Sequence, residues 1–464
     1  MTGSLSIAMV AGKPALLLGA YDLGTLGYVA QEFFVSGTAS SFTPTDALHP
    51  DGRWDVTASD TAEYTTRMVV LTPQHGCNGT VLVEWLNVSG GIDAPAVWMM
   101  AHREIVRAGY IYVAVSAQRV GVEGGASLLA ADMSLKSQDP TRYASLHHPG
   151  DAFSYDIFSQ IGQLLTGPDT VLTDLDINHV VAVGESQSAM FLTTYINAVD
   201  PLAATYDGFL VHSRFGSAAP LNGGSIFDEA RIDVPDVVRF RPDLRVPVLT
   251  VITETDLFGG VRHGYYFARQ PDTERLRVWE IAGAAHADNY TIQVAPIDTG
   301  SAPMDDIVAA YAPTSTLLGQ QLGHYINFAP QHHYVLQAGL SALHNWVREA
   351  VAAPTGPRLT VRETEWPQPE SDDYGLATGG IRTPWVDVPI ARTSGLGGQG
   401  SVMSAIFGSG EPFDDATLRR RYPGGADQYL AEFTAALDTA IGSGFVLAAD
   451  RDEILALAAA TYPD

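Results

Sequence analysis

Two rhythms of apolar positions alternate along much of this chain. Residues 79–87, GTVLVEWLN, form a near-continuous apolar run of strand length that stops at Val88-Ser89-Gly90-Gly91. Residues 94–107 then carry apolar side chains at helical spacing, and residues 110–116, YIYVAVS, give another strand. Short unbroken apolar runs separated by helix-length segments mark a parallel sheet with crossover helices. The alternation continues with a helix over 155–165 and strands over 179–183, 206–212, 246–253 and 277–281. A long amphipathic helix covers 334–351, with Val335, Leu336, Leu340, Leu343 and Val347 on one face. The pattern predicts an α/β fold built on a mostly parallel central sheet.

The N-terminal residues read as β-rich, with strand-like runs at 28–36 and 63–71. Three stretches break the rhythm: 117–150, 221–245 and 290–331, whose Gly, Pro and Ser content or lack of period suits lid-like insertions. Residues 364–400 are rich in Pro and Gly and hold one strand-like piece at 385–390. Two helices close the chain. The first carries Tyr429, Leu430, Phe433 and Leu437, and the second opens on Asp450 and Glu453 as a capping box before Ile454. A terminal segment this loop-heavy is expected to wrap the main sheet, with a separate C-terminal domain as the alternative.

The segment on which the rest turns is 177–197, INHVVAVGESQSAMFLTTYIN. A β-branched strand ends at Gly184, Ser186 follows, and Ala189, Met190, Leu192 and Ile196 recur at helical spacing. Small residues two before and two after the serine fit a nucleophile elbow, in which a strained turn presents the hydroxyl at a helix N-terminus. Ser188 stands where glycine is usual. The alternative is Ser186 as an ordinary helix cap. A nucleophilic serine needs a base, and the base needs an acid to fix its tautomer. Candidates follow in the chain order of α/β-hydrolases, each just past an expected strand: Glu254 and Asp256, then His286 in the small-residue turn Gly283-Ala284-Ala285-His286. Asp256 is favoured over Glu254 by its distance from the strand start. Two backbone donors for an oxyanion are expected from Gln187 and from Val88, although the 87–91 loop also suits a plain β–α turn. Glu84, inside a strand, reads as a buried structural carboxylate. His147 with His148 and His332 with His333 are adjacent pairs whose side chains diverge, so no metal site is expected. His344 reads as a surface or packing residue of its helix. The glycine-rich pieces 121–125 and 395–400 lack a phosphate-binding pattern.

Composition narrows the partners. The 464 residues are 46% hydrophobic and 17% charged, with a formal net charge of −26 and lysine only at positions 13 and 136. So acidic a surface repels nucleic acid and anionic lipid. Cys77 is the single cysteine, which excludes an intrachain disulfide, and it reads as structural. No run approaches a membrane span, and no basic segment with an apolar core opens the chain. The expectation is a cytoplasmic protein, or a secreted one if a leader has been removed.

GESQSA at 184–189, VLVEWLNVSGG at 81–91, TETD at 253–256, AGAAHAD at 282–288 and GGIRTPWVDVPIARTSG at 379–395 together resemble the long bacterial "α/β-hydrolase domain-containing" proteins. The resemblance spans nearly the whole chain. It implies the α/β-hydrolase fold as one elaborated domain over 1–464, with a core of about 60–355 and a C-terminal extension of about 356–464. It also implies a triad of Ser186, His286 and one of Glu254 or Asp256. The function expected is a serine esterase acting without cofactor on a small, apolar ester. An acyltransferase or lactonase with the same triad, and a non-catalytic binding protein on the same scaffold, are the alternatives.

Overall fold

The computed structural model describes residues 5–463 apart from 129–131, 174, 227–233, 260–262, 365 and 398–400. Parts of the expected insertions 117–150 and 221–245, and of the glycine-rich piece 395–400, therefore lie outside the described residues.

Nine strands make the central sheet: β1 (Ser6–Val10), β2 (Tyr28–Pro44), β3 (Val56–Pro73), β4 (Thr80–Trp85), β5 (Ile111–Val115), β6 (His179–Glu185), β7 (Gly208–His212), β8 (Val248–Ile252) and β9 (Leu276–Glu280). Their order is β1-β2-β3-β5-β4-β6-β7-β8-β9. The pairs from β1 through β3 to β5 are antiparallel, and those from β5 through β4 to β9 are parallel. Strand β4 shows why the central runs are apolar throughout. Val81, Val83 and Trp85 face one core, and Leu82 faces the other, because successive side chains point to opposite faces. The first face is covered by helices α2 (Ser154–Thr166) and α3 (Gln187–Thr194), through Phe158, Ile161 and Phe191. The second is covered by α1 (Ala96–Ala108) and α6 (Gln331–Glu349), through Trp98, Ile105, Leu336 and Leu340.

The second strand pair runs well past the apolar runs at 28–36 and 63–71. Residues 39–44 of β2 pair with 56–62 of β3 in a hairpin arm whose Thr57–Thr61 side chains are exposed, so hydropathy does not mark it. Insertion 290–331 contains helix α5 (Met304–Tyr311). Helix α1 opens at Pro95 without a side-chain cap of its own. Glu84 supplies one from the strand beneath: its carboxylate accepts the N–H groups of Val97 (2.8 Å) and Trp98 (3.1 Å) and the Tyr112 hydroxyl (2.6 Å). These are the orphan donors of a helix start, met by a buried acid.

Two expectations for the C-terminal segment differ from the structure. Residues 385–390 are not a strand. Pro384–Asp387 form a helical turn with proline at its first position, pinned by Arg382 donating to Val386 O at 3.1 Å, and the strand is Ala391–Ser394, paired with Ser409–Pro412. The Asp450 capping box does not form either. Arg107 takes the Asp450 carboxylate at 2.6 Å, while Arg103 at 2.8 Å and the Tyr334 hydroxyl at 2.6 Å take Glu453, so tertiary ion pairing wins over the local cap. The closing helices α7 (Gly425–Gly442) and α8 (Arg451–Thr461) bury Phe433, Leu437 and Ile454 against Tyr334 of α6. A bridge from Ile381 to Ile281 joins the segment to the sheet just past β9.

Candidate active site

Chain order in the sheet reverses at β4, which lies between β5 and β6, and the crevice above such a point is where open α/β sheets bind ligands. The loop after β4, the turn after β6, and the segments after β8 and β9 meet there. At the end of β6 the backbone of Ser186 takes φ 57° and ψ −114°, a left-sided conformation that a non-glycine residue adopts only when its surroundings impose it. Three contacts impose it here. The Ser186 N–H donates to His212 O of the neighbouring strand at 2.9 Å. The Ser188 hydroxyl donates to Glu185 O at 2.8 Å and accepts the Glu185 N–H at 3.1 Å, so the serine that replaces the usual glycine braces the turn. A Cβ on Gly184 would come within 2.9 Å of Leu192 Cδ1, so any larger residue there would require the Leu192 side chain to shift.

The Ser186 Oγ lies 2.8 Å from His286 Nε2, and His286 Nδ1 lies 2.6 Å from Asp256 Oδ1. The structure thus brings Ser186, His286 and Asp256 into one hydrogen-bonded chain. Asp256 is fixed from its other side. It is the third residue of helix α4 (Glu254–Phe258), whose N-cap is Thr253, and its Oδ2 accepts the Thr253 N–H (2.8 Å) and hydroxyl (2.7 Å). A capping box therefore aims one carboxylate oxygen at the backbone and leaves the other for the histidine. His286 is held in turn by its N–H on the Thr255 hydroxyl (3.1 Å) and by Phe215 stacked on its ring at 5.4 Å between centroids.

Glu254, the other acid candidate, forms no hydrogen bond or ion pair with His286. Its carboxylate accepts the Gly283 N–H (2.6 Å), the Gly395 N–H (2.8 Å) and the Ser394 hydroxyl (2.8 Å), tying the histidine loop to the C-terminal segment. His332 and His333 are buried on α6 and diverge: His332 Nε2 meets His212 Nε2 at 2.8 Å, while His333 stacks on Tyr290. His344 is half-buried, with Nδ1 3.1 Å from the Thr80 hydroxyl. Among the described residues, no three His, Cys, Asp or Glu side chains gather as metal ligands would.

Gln187 follows Ser186 as the first residue of α3, where a backbone N–H has no intrahelical acceptor. The Val88 N–H, across the crevice, donates to the side-chain Oε1 of Gln187 at 3.2 Å. That amide donates on to Gln118 Oε1 (2.7 Å), which also accepts the Trp85 indole (3.1 Å). Beside this network opens a cavity of about 190 Å³ lined by Val88, Gln118, Gln187, Phe191 and Ile226 among others.

One residue at the site escaped the sequence reading. Glu185 directly precedes the serine, and its Oε1 lies 3.4 Å from His286 Nε2, on the nitrogen opposite Asp256. Asn87 donates to its Oε2 and to its backbone oxygen, both at 3.1 Å. Burial pushes the Glu185 carboxyl up, the His286 charge opposes that, and the balance is about 7. Burial works against a charged His286, but the Asp256 carboxylate and then Glu185 outweigh it and push the imidazole up to about 9.

A sequence model of the α/β-hydrolase domain family matches residues 3–456. The chain belongs to the α/β-hydrolase family. Among solved structures, this hydrolase is similar to a putative dienelactone hydrolase from Klebsiella pneumoniae subsp. pneumoniae at 12% identity, covering 60% of this chain and 95% of that one with a TM-score of 0.32. A Pyrococcus furiosus esterase matches at 10% identity over 59% of this chain and 88% of that one, TM-score 0.31. Acetyl xylan esterase 1 from a Thermoanaerobacterium species matches at 10% identity over 60% and 81%, TM-score 0.29. No curated protein matches the chain. Among the described residues, no helix is long and apolar enough to cross a membrane.

Proposed function

We propose that this hydrolase cleaves a carboxylic ester of a small, apolar substrate through an acyl-enzyme on Ser186. The observation that carries the reading is the unbroken chain from Ser186 Oγ through both nitrogens of His286 to Asp256, with the serine on a strained strand-to-helix turn. Ser186 Oγ attacks the carbonyl while His286 Nε2 takes its proton, and Asp256 holds the imidazole in the required tautomer. The oxyanion is received by the N–H groups of Gln187 and Val88. The Val88 donor is now on the Gln187 side chain, so the substrate oxygen displaces that amide as it enters. His286 then protonates the departing alkoxide, and a water activated by the same nitrogen releases the acid. The adjoining cavity of about 190 Å³ is below the roughly 300–1,000 Å³ of drug-sized sites, which suits a short acyl or alcohol group; Arg119 and Asp151 line it together with Val88, Phe191 and Ile226.

The test is covalent labelling with a fluorophosphonate, followed by peptide mapping. Label is expected on the peptide spanning 177–197, absent in Ser186→Ala and strongly reduced in His286→Ala. Short-chain p-nitrophenyl esters should be turned over faster than long-chain ones. Label on a different serine, or none, overturns the reading.

A further inference from the structure

The Ser–His–Asp chain leaves one ionisable group at the reacting nitrogen without a role. His286 Nε2, the atom that must take and return the proton, faces two oxygens: Ser186 Oγ at 2.8 Å and Glu185 Oε1 at 3.4 Å. Asp256 occupies the opposite nitrogen at 2.6 Å. The imidazole is therefore flanked by a carboxylate on each nitrogen, which a simple triad does not require.

Glu185 is not there by accident of a mobile side chain. It ends β6 in register with His212, its residue is only 9% exposed, and Asn87 clamps both its carboxylate and its backbone oxygen. Its own N–H and carbonyl are held by Ser188. The same brace that fixes the nucleophile therefore fixes this carboxylate. The other ionisable groups around the pair do not duplicate it. Asp256 is committed to Nδ1, and Glu84, the next acid on the β4 side, is bound to the α1 N-terminus and Tyr112. His212 and His332 hold each other through their Nε2 atoms, and burial pushes both down, so they stay neutral.

We propose that Glu185 is a positioning residue for the proposed ester hydrolysis, acting through His286. When Ser186 gives its proton to Nε2, the new Nε2–H lies between the departing alkoxide and the Glu185 carboxylate, which stabilises the imidazolium until the alkoxide takes the proton. Above about pH 7 Glu185 is ionised before and after the step; no proton is consumed by it and none is left on it. The same attraction has a cost in the resting enzyme, because it also stabilises His286 in the charged form that cannot act as a base. The hydrolase is consequently armed by alkali: its acid limb lies above that of a triad with one carboxylate. Two unit charges 3.4 Å apart shift each other's ionisation by about one pH unit even at the dielectric of bulk water, and by more where water is thinned.

This rests on the hydrolytic reading, so the experiment has one arm that needs no turnover. In the first arm, the His286 imidazole is titrated by proton NMR in the wild type and in Glu185→Gln, which keeps the shape and an acceptor for Asn87. Its midpoint should fall by at least one pH unit in the variant. In the second arm, kcat/KM for p-nitrophenyl acetate is followed from pH 5 to pH 10.5. The acid limb should move down by the same amount, while kcat on the alkaline plateau falls about tenfold. Glu185→Asp, which keeps the charge, should restore the wild-type direction of the limb. An unmoved midpoint in folded Glu185→Gln, or one that rises, overturns the proposal. A shifted midpoint in a protein that turns over no ester keeps the electrostatic claim and removes the hydrolytic one.

Discussion

Two neighbouring acids, Glu254 and Asp256, compete for one role in the sequence, and the structure gives them opposite work that a pair of substitutions separates. The Glu254 carboxylate receives three donors from two other segments, at 2.6 to 2.8 Å, and is fully buried. Glu254→Gln keeps the size but leaves a single acceptor oxygen. The other end becomes an NH2 group facing either Gly283 N–H or the Gly395 N–H with the Ser394 hydroxyl. At least one buried backbone donor is stranded, at about 1–3 kcal/mol, and the surviving bonds lose their charge assistance. Because burial pushes this carboxyl up, removing its charge recovers part of that loss. The net expectation is a destabilisation of about 2–3 kcal/mol. Activity should fall only about tenfold, since the His286 loop loosens while the triad keeps its members. Asp256→Asn reverses the pattern. The amide can still accept from Thr253, but it no longer fixes the Nδ1–H tautomer, and kcat should fall about 10⁴-fold with little change in stability. Urea unfolding followed by tryptophan fluorescence, beside ester hydrolysis on the same preparations, reads both quantities. A Glu254→Gln protein of wild-type stability whose kcat falls as far as that of Asp256→Asn would refute the assignment.

Two further outcomes follow from the same contacts. Ser188→Gly creates the commoner elbow sequence but deletes both hydrogen bonds to Glu185, so unfolding should be easier by about 1 kcal/mol and kcat lower, as urea titration and ester turnover would show. Glu84, pushed by burial from 4.5 to about 8, binds its proton more tightly folded than unfolded, so its contribution to stability is full below pH 4.5 and is lost as pH rises through 8. The stability advantage of the wild type over Glu84→Gln should therefore shrink across that window and level off above it. An advantage that grows with pH, measured by denaturant unfolding at several pH values, contradicts the assignment of Glu84 as a desolvated cap.

What the sequence made legible were features whose cause is local. The mostly apolar runs of β4 to β9 follow from burial on both faces, and the elbow follows from a strand, small residues and a helix within twenty residues of one another. Features decided by distant partners were not legible. Asp450 and Glu453 have the spacing of a capping box, yet Arg107 and Arg103 on α1 claim them. The aromatic and β-branched run at 385–390 reads as a strand, but Pro384 and Arg382 turn it into a helical turn. Glu254 and Asp256 differ only in which way a capping box lets them point, and that depends on Thr253 and on Gly395, about 140 residues further on. Glu185 was hidden in plain view, because a residue next to Ser186 reads as part of the strand and nothing nearby in sequence signals that its side chain turns toward His286.

These cases share one physical logic. Inside a chain with net charge −26, Asp256 and Glu185 repel each other, as do Glu185 and Glu84, yet each of these acids and Glu254 has a donor set that fixes its direction. Glu84 is spent on a helix start, Glu254 on two glycine N–H groups and a serine, and half of Asp256 on Thr253. What remains for His286 is one oxygen of Asp256 and one of Glu185, approaching from opposite nitrogens. Backbone donors neutralise without supplying a mobile cation, and the His286 imidazole is the base hydrogen-bonded to Ser186 Oγ. The arrangement makes the ionisation of His286 depend on how well two clamps, Thr253 and Asn87, hold their carboxylates in place.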